Sequence, residues 1–265
     1  MYSRSQLAKK YIHYYFTASN GKGHGIHSPF VFDLIKNVLN DKKNYDSYAA
    51  IEKIRNELLH DKRAVDVEDF GAGSIAVPSR KKRISDITRS FLKSKKLAQL
   101  LFRIVQYYKP HNIVELGTSL GITTAYIASA NKNSEVFTLE GAKNIAAIAQ
   151  EFFKKLSVQN IKQVEGNFDD TLPGLLSQIQ KIDLAYLDGN HRKGPTLYYF
   201  DQLINKSTQS TILIFDDIHW SKEMEEAWKE IQQHNDVTLT IDLFFIGLVF
   251  FKKDFKAKQH FTIRF

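Results

Sequence analysis

The sequence predicts an α/β fold in which helices cover both faces of a mostly parallel sheet. Three observations support this prediction. After Pro110, short apolar segments alternate with longer segments of helical spacing, as in successive βαβ units. Near the end, VTLTIDLFF and IGLVFFKK follow each other with a turn and no helix between them. Before Pro110, apolar residues recur at three- and four-residue spacing, which predicts a helical N-terminal extension.

The extension is predicted to cover residues 1–94, with a core domain at 95–265. HSPFVFDLIKNVLND and SYAAIEKIRNELLH have helical spacing, and Ser28 with Pro29 is a typical helix start. We expect this extension to be helical and to act as a lid over a site in the core domain.

Five strands are predicted in the core domain, each followed by a helical segment or a turn. The final two segments are expected to pair antiparallel at the edge of the sheet. The five predicted strands are NIVEL, EVFTLE, IKQVEG, IDLAYLD and TILIFDD.

Composition excludes several kinds of protein. The 265 residues are 43% hydrophobic and include no cysteine, so disulfides, thiolate metal sites and cysteine nucleophiles are excluded. The sequence predicts a cytoplasmic protein without a membrane partner, because no apolar run approaches the roughly 20 residues that span a bilayer. Residues 1–110 carry 21 Lys and Arg against 10 Asp and Glu. This excess of basic residues can keep the protein soluble or can bind an anionic partner such as nucleic acid.

Two glycine turns compete as the start of a nucleotide-binding unit, DFGAGS at 69–74 and VELGTSLGITT from Val114. Such a turn follows a strand and opens a helix, and an acidic residue about 20 positions later binds ribose. The second turn meets these conditions, with Glu140 ending the next strand. Pro78 and a basic run follow DFGAGS, so we expect that turn to be a structural feature of the extension.

Five motifs follow one another along the core domain: ELGTSLG at 115–121, Glu140, GNF at 166–168, LDGNH at 187–191 and FDDIHW at 215–220. In this order they resemble the class I S-adenosylmethionine-dependent methyltransferases, and within that class the catechol-type, metal-dependent O-methyltransferases. The similarity covers roughly residues 95–251 and implies a Rossmann-like sheet of five alternating strands plus an antiparallel terminal pair.

The resemblance implies a role for each cofactor-binding candidate. We expect five residues of the glycine turn and its helix to surround the amino-acid end of S-adenosylmethionine. Glu140 is expected to bind the ribose hydroxyls, and Asn167 and Phe168 to border the adenine. Two alternatives remain open: Gly166 and Asn167 can simply form a turn, and Thr123 can simply start a helix. The candidates for the amino-acid end are Glu115, Gly117, Ser119, Gly121 and Thr123.

Three aspartates predict a Mg²⁺ site. Asp188 ends the fourth strand and Asp216 the fifth, and ligands collect outside the carboxyl ends of parallel strands. The resemblance places metal ligands at Asp188, Asp216 and Asp217, although the third is commonly Asn in the related enzymes. The alternative is that Asp217 caps the following segment and Asp188 binds backbone amides.

His191 is the predicted catalytic base, assisted by Asp188. It lies three residues after Asp188, where the related enzymes carry a catalytic Lys. His219, beside Trp220, is a second candidate, although for His219 we favour a structural role in which it binds a backbone group.

The sequence therefore predicts a methyltransferase that uses S-adenosylmethionine and acts on a hydroxyl of a small-molecule acceptor, with Mg²⁺ as an optional aid. One alternative is an RNA methyltransferase acting on ribose or a ring nitrogen, favoured by the run Arg80, Lys81, Lys82 and Arg83. The other is a protein that binds S-adenosylmethionine without catalysis.

Overall fold

The computed structural model describes residues 1–69, 77–255 and 257–265. They form two compact units, one made of residues 42–178 and the other of residues 1–41 with 179–265. The domain boundary between residues 94 and 95 stays a prediction. Most of DFGAGS lies outside the described residues, so its role stays a prediction.

The unit of residues 42–178 contains a parallel sheet, an antiparallel hairpin and six helices among its described residues. Its strands are β1 (Ala64–Asp69), β2 (Val77–Arg83), β3 (Asn112–Leu116), β4 (Glu135–Glu140) and β5 (Ile161–Glu165). Its helices are α3 (Asp46–His60), α4 (Ile84–Phe91), α5 (Lys95–Tyr108), α6 (Ile122–Ala130), α7 (Lys143–Lys155) and α8 (Phe168–Gln178).

In this unit β4 lies between β3 and β5 and pairs in parallel with both, as the alternating pattern predicted. The central residues of β3 and β4 are buried. Helix α6 is buried along nearly its whole length, which explains why its sequence is apolar or small throughout instead of amphipathic. The turn that joins β3 to α6 thus lies between a buried strand and a buried helix.

The extension is not purely helical, contrary to the sequence-based expectation. β1 and β2 pair antiparallel, with Ala64 opposite Arg83. The charged residues of AVDVED and VPSRKKR concealed a strand pattern, since a hairpin can leave both strands polar. Helix α3 was predicted correctly, and its Glu52 accepts a hydrogen bond from Tyr126 of α6 at 2.7 Å. Part of the extension therefore packs against the core of this unit.

The other unit contains the remaining strands and helices. Its strands are β6 (Ile182–Leu187), β7 (Ser207–Asp216), β8 (Leu239–Asp242), β9 (Ile246–Phe250) and β10 (Gln259–Thr262). Its helices are α1 (Arg4–Thr17), α2 (Pro29–Leu34), which continues as a π-helical turn at Ile35–Leu39, α9 (Lys193–Ile204) and α10 (Lys222–Gln233).

Strands β6 and β7 are parallel, β9 is antiparallel to β7, and β8 is antiparallel to β9. The predicted antiparallel pair is therefore confirmed. Its position at the edge is not, because β10 adds to β8 in parallel. QHFT is short and only every second residue is partly buried, so it gave no clear strand signal. Among the helices that the structure describes, none is both long and apolar enough to cross a bilayer.

Candidate functional site

The turn between β3 and α6 is held in a tight conformation by left-handed residues. Gly117, Ser119 and Gly121 have φ values of 105°, 48° and 78°. The N–H groups of Gly117 and Thr118 both donate to the carbonyl of Leu139 in β4, at 3.0 and 3.1 Å. The turn is therefore fixed to the neighbouring strand before any ligand binds.

Gly121 has a packing reason to be glycine. A Cβ atom at this position would lie 2.6 Å from Cε1 of Phe153 in α7, and its φ of 78° is strained for other residues. The sequence predicted that Gly121 allows close approach of the cofactor. The structure adds a second requirement, contact between the turn and a buried aromatic ring.

Glu140 ends β4 and its carboxylate lies at the same turn. Oε2 accepts from the N–H of Ser119 at 2.8 Å, and Oε1 accepts from the N–H of Ala142 at 2.9 Å. Burial raises the pKa of Glu140, while the N–H groups of Ala142, Ser119 and Gly141 act in the opposite direction. A carboxylate has about four acceptor positions. The N–H groups of these three residues orient the carboxylate and leave acceptor capacity for a hydroxyl donor.

Glu115 is fully buried on β3. Its Oε2 accepts from the hydroxyl of Thr138 at 2.7 Å and from the hydroxyl of Thr124. Glu115 is thereby tied to β4 and α6, and sequence analysis missed both threonines. Thr123, the residue predicted to hold the cofactor carboxylate, lies beside Thr124 at the start of α6 and is also buried.

Asn167 and Phe168 stand where β5 leads into α8. Oδ1 of Asn167 accepts from the N–H of Asp169 at 3.3 Å, and its carbonyl accepts from the N–H of Thr171 at 2.9 Å. This is the helix-start geometry of the turn alternative. Phe168 is the first residue of α8 and is partly exposed. Contact of either residue with adenine stays a prediction.

A second group of candidate residues lies in the other unit. Asp188, His191 and Asp216 each offer a ligand atom, and these atoms lie within 4.8 Å of one another. Nε2 of His191 is 3.6 Å from Oδ1 of Asp188. The hydroxyl of the buried Tyr186 donates to Oδ2 of Asp188 at 3.0 Å. Tyr186 precedes Asp188 by two residues on a strand, so alternation of side chains could have revealed it.

Asp217 is not a member of this group. Its φ is 52°, its N–H donates to the carbonyl of Phe245 at 2.7 Å, and its carbonyl accepts from the N–H of Trp220 at 2.9 Å. These backbone bonds are those of a turn. The structure thus brings His191 together with Asp188 and Asp216, in the place that the resemblance gave to Asp217.

His219 has the structural role that the sequence favoured, but its partners are two carboxylates and not the predicted backbone group. Nδ1 lies 3.0 Å from Oε1 of Glu225 and Nε2 lies 2.7 Å from Oδ2 of Asp242. Burial lowers the pKa of His219, but the hydrogen bonds and charges of Asp242 and Glu225 outweigh burial and raise the pKa above its ordinary value. With both ring nitrogens engaged, His219 is poorly suited to accept a proton from a substrate.

The glycine turn with Glu140 and the set of Asp188, His191 and Asp216 are each chemically suited to a different ligand. The turn that ends at Gly121, with the Glu140 carboxylate, offers backbone groups and acceptor positions suited to a nucleoside with a carboxylate-bearing tail. Two carboxylates and one imidazole within 4.8 Å suit a divalent cation.

Comparison with known proteins agrees with the fold. Residues 114–218 match a family model described as a methyltransferase domain. No protein in a search of curated sequences matches the chain.

Solved structures similar to this chain include three methyltransferases. An O-methyltransferase from Bacillus cereus in complex with SAH is 17% identical with a TM-score of 0.56, and 83% of this chain and 97% of that chain are covered. An SAH-bound methyltransferase from Podospora anserina is 14% identical with a TM-score of 0.59, and 85% of this chain and 97% of that chain are covered. An O-methyltransferase from Streptomyces achromogenes involved in tomaymycin synthesis, in complex with SAM, is 14% identical with a TM-score of 0.57. In this comparison 79% of this chain and 91% of that chain are covered.

The sequence motifs, the parallel strands with an antiparallel terminal pair and the methyltransferase-domain model matched by residues 114–218 agree: the chain has the Rossmann-like fold of the class I methyltransferases.

Proposed function

We propose that this protein transfers a methyl group from S-adenosylmethionine to a hydroxyl of a small-molecule acceptor. The observation that carries the proposal is the carboxylate of Glu140, held at the glycine turn by the N–H of Ser119 within a domain that matches methyltransferases. Structural neighbours that are O-methyltransferases bound to SAH or SAM support the same assignment.

The cofactor-binding role follows from hydrogen-bonding capacity. Backbone N–H groups of Ser119, Gly141 and Ala142 orient the Glu140 carboxylate, and we propose that its remaining acceptor capacity binds the ribose hydroxyls. Glu115, Gly117, Ser119, Gly121 and Thr123 are proposed to surround the amino-acid end. Asn167 and Phe168 are proposed to border the adenine.

A divalent cation is proposed at Asp188, His191 and Asp216. Mg²⁺ was predicted from an all-aspartate set, but an imidazole also suits Mn²⁺ or Zn²⁺. Such an ion, when bound, lowers the pKa of a coordinated hydroxyl and orients it. Neutral His191 has one lone pair. It can therefore act as a metal ligand or as the base that takes the hydroxyl proton, but not as both at once.

Isothermal titration calorimetry with S-adenosylhomocysteine tests the cofactor proposal. We expect binding by the wild type and at least tenfold weaker binding by Glu140→Gln, because charged hydrogen bonds contribute about 1.5–3 kcal/mol. Glu165→Gln is the matched control, since Glu165 is the exposed residue opposite Glu140 on β5. Equal affinity in the wild type and Glu140→Gln would remove this role for Glu140, and no binding by the wild type would refute the proposal.

An RNA acceptor is the second candidate, since Lys81 and Arg83 on β2 are exposed. It requires RNA affinity that falls steeply with salt, as counterion release demands. A protein that binds the cofactor without catalysis would bind S-adenosylhomocysteine and show no methyl transfer to either acceptor class.

A further inference from the structure

Helix α1 has two apolar faces, and only one of them is covered. On the covered face Tyr14 is buried, packs against Phe244 with ring centroids 5.3 Å apart, and donates a hydrogen bond to the carbonyl of Ile263. Tyr11 packs on the same Phe244 ring at 5.1 Å. These contacts fix which side of α1 faces the unit of residues 1–41 and 179–265.

The opposite side presents large apolar side chains to solvent. Ile12, Tyr15 and Phe16 are 56%, 44% and 76% exposed. Ala8 is exposed one turn before Ile12. Residues at three- and four-residue spacing share one side of a helix, so these four form a continuous surface, here called the α1 apolar face. Contiguous exposed apolar residues with a polar rim are typical of interaction sites.

The rim of the α1 apolar face is basic. Arg4 and Lys9 are exposed on α1, and the guanidinium carbon of Arg264 lies 4.4 Å from the centre of the Tyr15 ring. Residues 1–32 of the sequence contain no Asp or Glu. Lys10, on the covered side, is paired with Glu225 at 2.9 Å. These basic groups around the face therefore favour an anionic partner.

A second copy of the chain is a poor partner for this surface. A two-fold interface places the same patch of both copies together. The basic rim of one copy would then face the basic rim of the other, and α1 supplies no carboxylate to pair with it. Like charges brought together at an interface weaken association.

We propose that the α1 apolar face binds the surface of an anionic lipid bilayer. Helix α1 would lie in the plane of the interface, with Ile12, Tyr15 and Phe16 at the boundary between headgroups and acyl chains and with Arg4, Lys9 and Arg264 at the anionic headgroups. A helix with aromatic and aliphatic residues on one side and basic residues at its margin is suited to this position. The proposal does not depend on methyl transfer. It departs from the sequence-based expectation of no membrane partner, because a helix that lies in the interface needs no membrane-spanning run.

Vesicle co-sedimentation of the full chain tests this binding. We expect partition onto vesicles of phosphatidylcholine with 30 mol% phosphatidylglycerol, and little onto pure phosphatidylcholine. Ile12→Ser with Phe16→Ser should weaken partition at least tenfold, and Lys9→Gln about fivefold, since each basic residue near an anionic surface contributes about 1 kcal/mol. Phe91→Ser is the matched control, because Phe91 is 60% exposed on another helix.

A fluorescence measurement keeps the proposal testable if the serine variants unfold. The chain has no cysteine, so Ala8→Cys carries a unique site for an environment-sensitive dye and leaves Ile12, Tyr15 and Phe16 intact. Its emission should shift to the blue on anionic vesicles, while a dye at Tyr198→Cys should not respond. No vesicle binding, equal loss in Phe91→Ser, or a dimer in light scattering that Phe16→Ser converts to a monomer would each overturn the proposal.

Discussion

His219 and Asp242 are joined by a hydrogen bond of 2.7 Å from one ring nitrogen, while the other ring nitrogen lies 3.0 Å from Glu225. Glu225 also accepts from Lys10 at 2.9 Å and from the hydroxyl of Tyr2 at 2.8 Å. The imidazolium of His219 therefore links β8 to α10, and through Glu225 to α1. Its protonation should control the stability of this part of the fold.

We expect His219→Gln to cost about 2 kcal/mol of unfolding free energy near pH 5.5, and less above pH 7. The pKa of His219 is raised from 6.5 in the folded state, so its stabilisation is complete below pH 6.5 and is lost as pH rises through the raised pKa. Urea unfolding from pH 5 to pH 9 measures the difference. Lost packing on Phe244 adds a part that does not vary with pH.

Glu225 sets the lower limit of the pH range in which its interaction with His219 stabilises the fold. Burial raises the pKa of Glu225, but hydrogen bonds from Lys10, His219 and Tyr2 outweigh burial and lower it below 4.5. Its contribution to the free energy of unfolding is therefore present above pH 4.5 and is lost as pH falls through the lowered pKa.

The control for His219→Gln is His60→Gln, at an exposed position of α3. A cost of His219→Gln that grows between pH 6 and pH 9 would contradict this account.

Gly121→Ala should destabilise the protein by about 3 kcal/mol. The substitution places Cβ 2.6 Å from Phe153 and forces a residue other than glycine to adopt a φ of 78°, and left-handed strain and overpacking each cost about 1–3 kcal/mol. Gly174→Ala is the control: Gly174 lies inside α8 with open space around it, so this change should stabilise by up to about 1 kcal/mol.

Urea unfolding measures both glycine variants. If Gly121→Ala keeps its stability and loses only affinity for S-adenosylhomocysteine, the packing requirement is wrong and the close approach predicted from the sequence accounts for this glycine.

Local patterns were enough to predict the strands of the core domain, because buried parallel strands read as apolar runs between helical segments. They also placed Glu140 and Asp188 at strand ends. They could not supply register. Glu115 and Thr138 are partners on β3 and β4, and their hydrogen bond depends on how the two strands align. The polar strands β1 and β10 were missed because their pairing, and not their composition, makes them strands.

Neighbouring threonines should separate structure from cofactor binding. Thr124→Val removes a donor from the buried carboxylate of Glu115 and should cost about 2 kcal/mol. Thr123→Val leaves that bond in place, so we expect less than about 1 kcal/mol of destabilisation and roughly tenfold weaker binding of S-adenosylhomocysteine. Thermal unfolding with and without S-adenosylhomocysteine measures both effects. Unchanged affinity in Thr123→Val would reduce Thr123 to the helix-start role.

Titration with Mn²⁺ should show whether His191 is a metal ligand. If it is, His191→Gln and Asp188→Asn should each weaken Mn²⁺ binding more than tenfold, because each removes one donor of a three-residue set. Asp217→Asn should change the affinity less than twofold, since Asp217 lies outside that set. Calorimetry with the full chain measures the three variants against the wild type.

The base role makes a different prediction for the same variant. If His191 takes the hydroxyl proton and does not bind the ion, His191→Gln should retain Mn²⁺ affinity and lose the low-pH limb of the kcat profile, since only neutral imidazole accepts a proton. If Asp217→Asn loses Mn²⁺ binding while His191→Gln retains it, the metal ligands are the three aspartates predicted from the sequence. Wild-type protein without measurable Mn²⁺ or Mg²⁺ affinity would refute the metal site, and Asp188 would then act with its neighbour Tyr186 in positioning His191 alone.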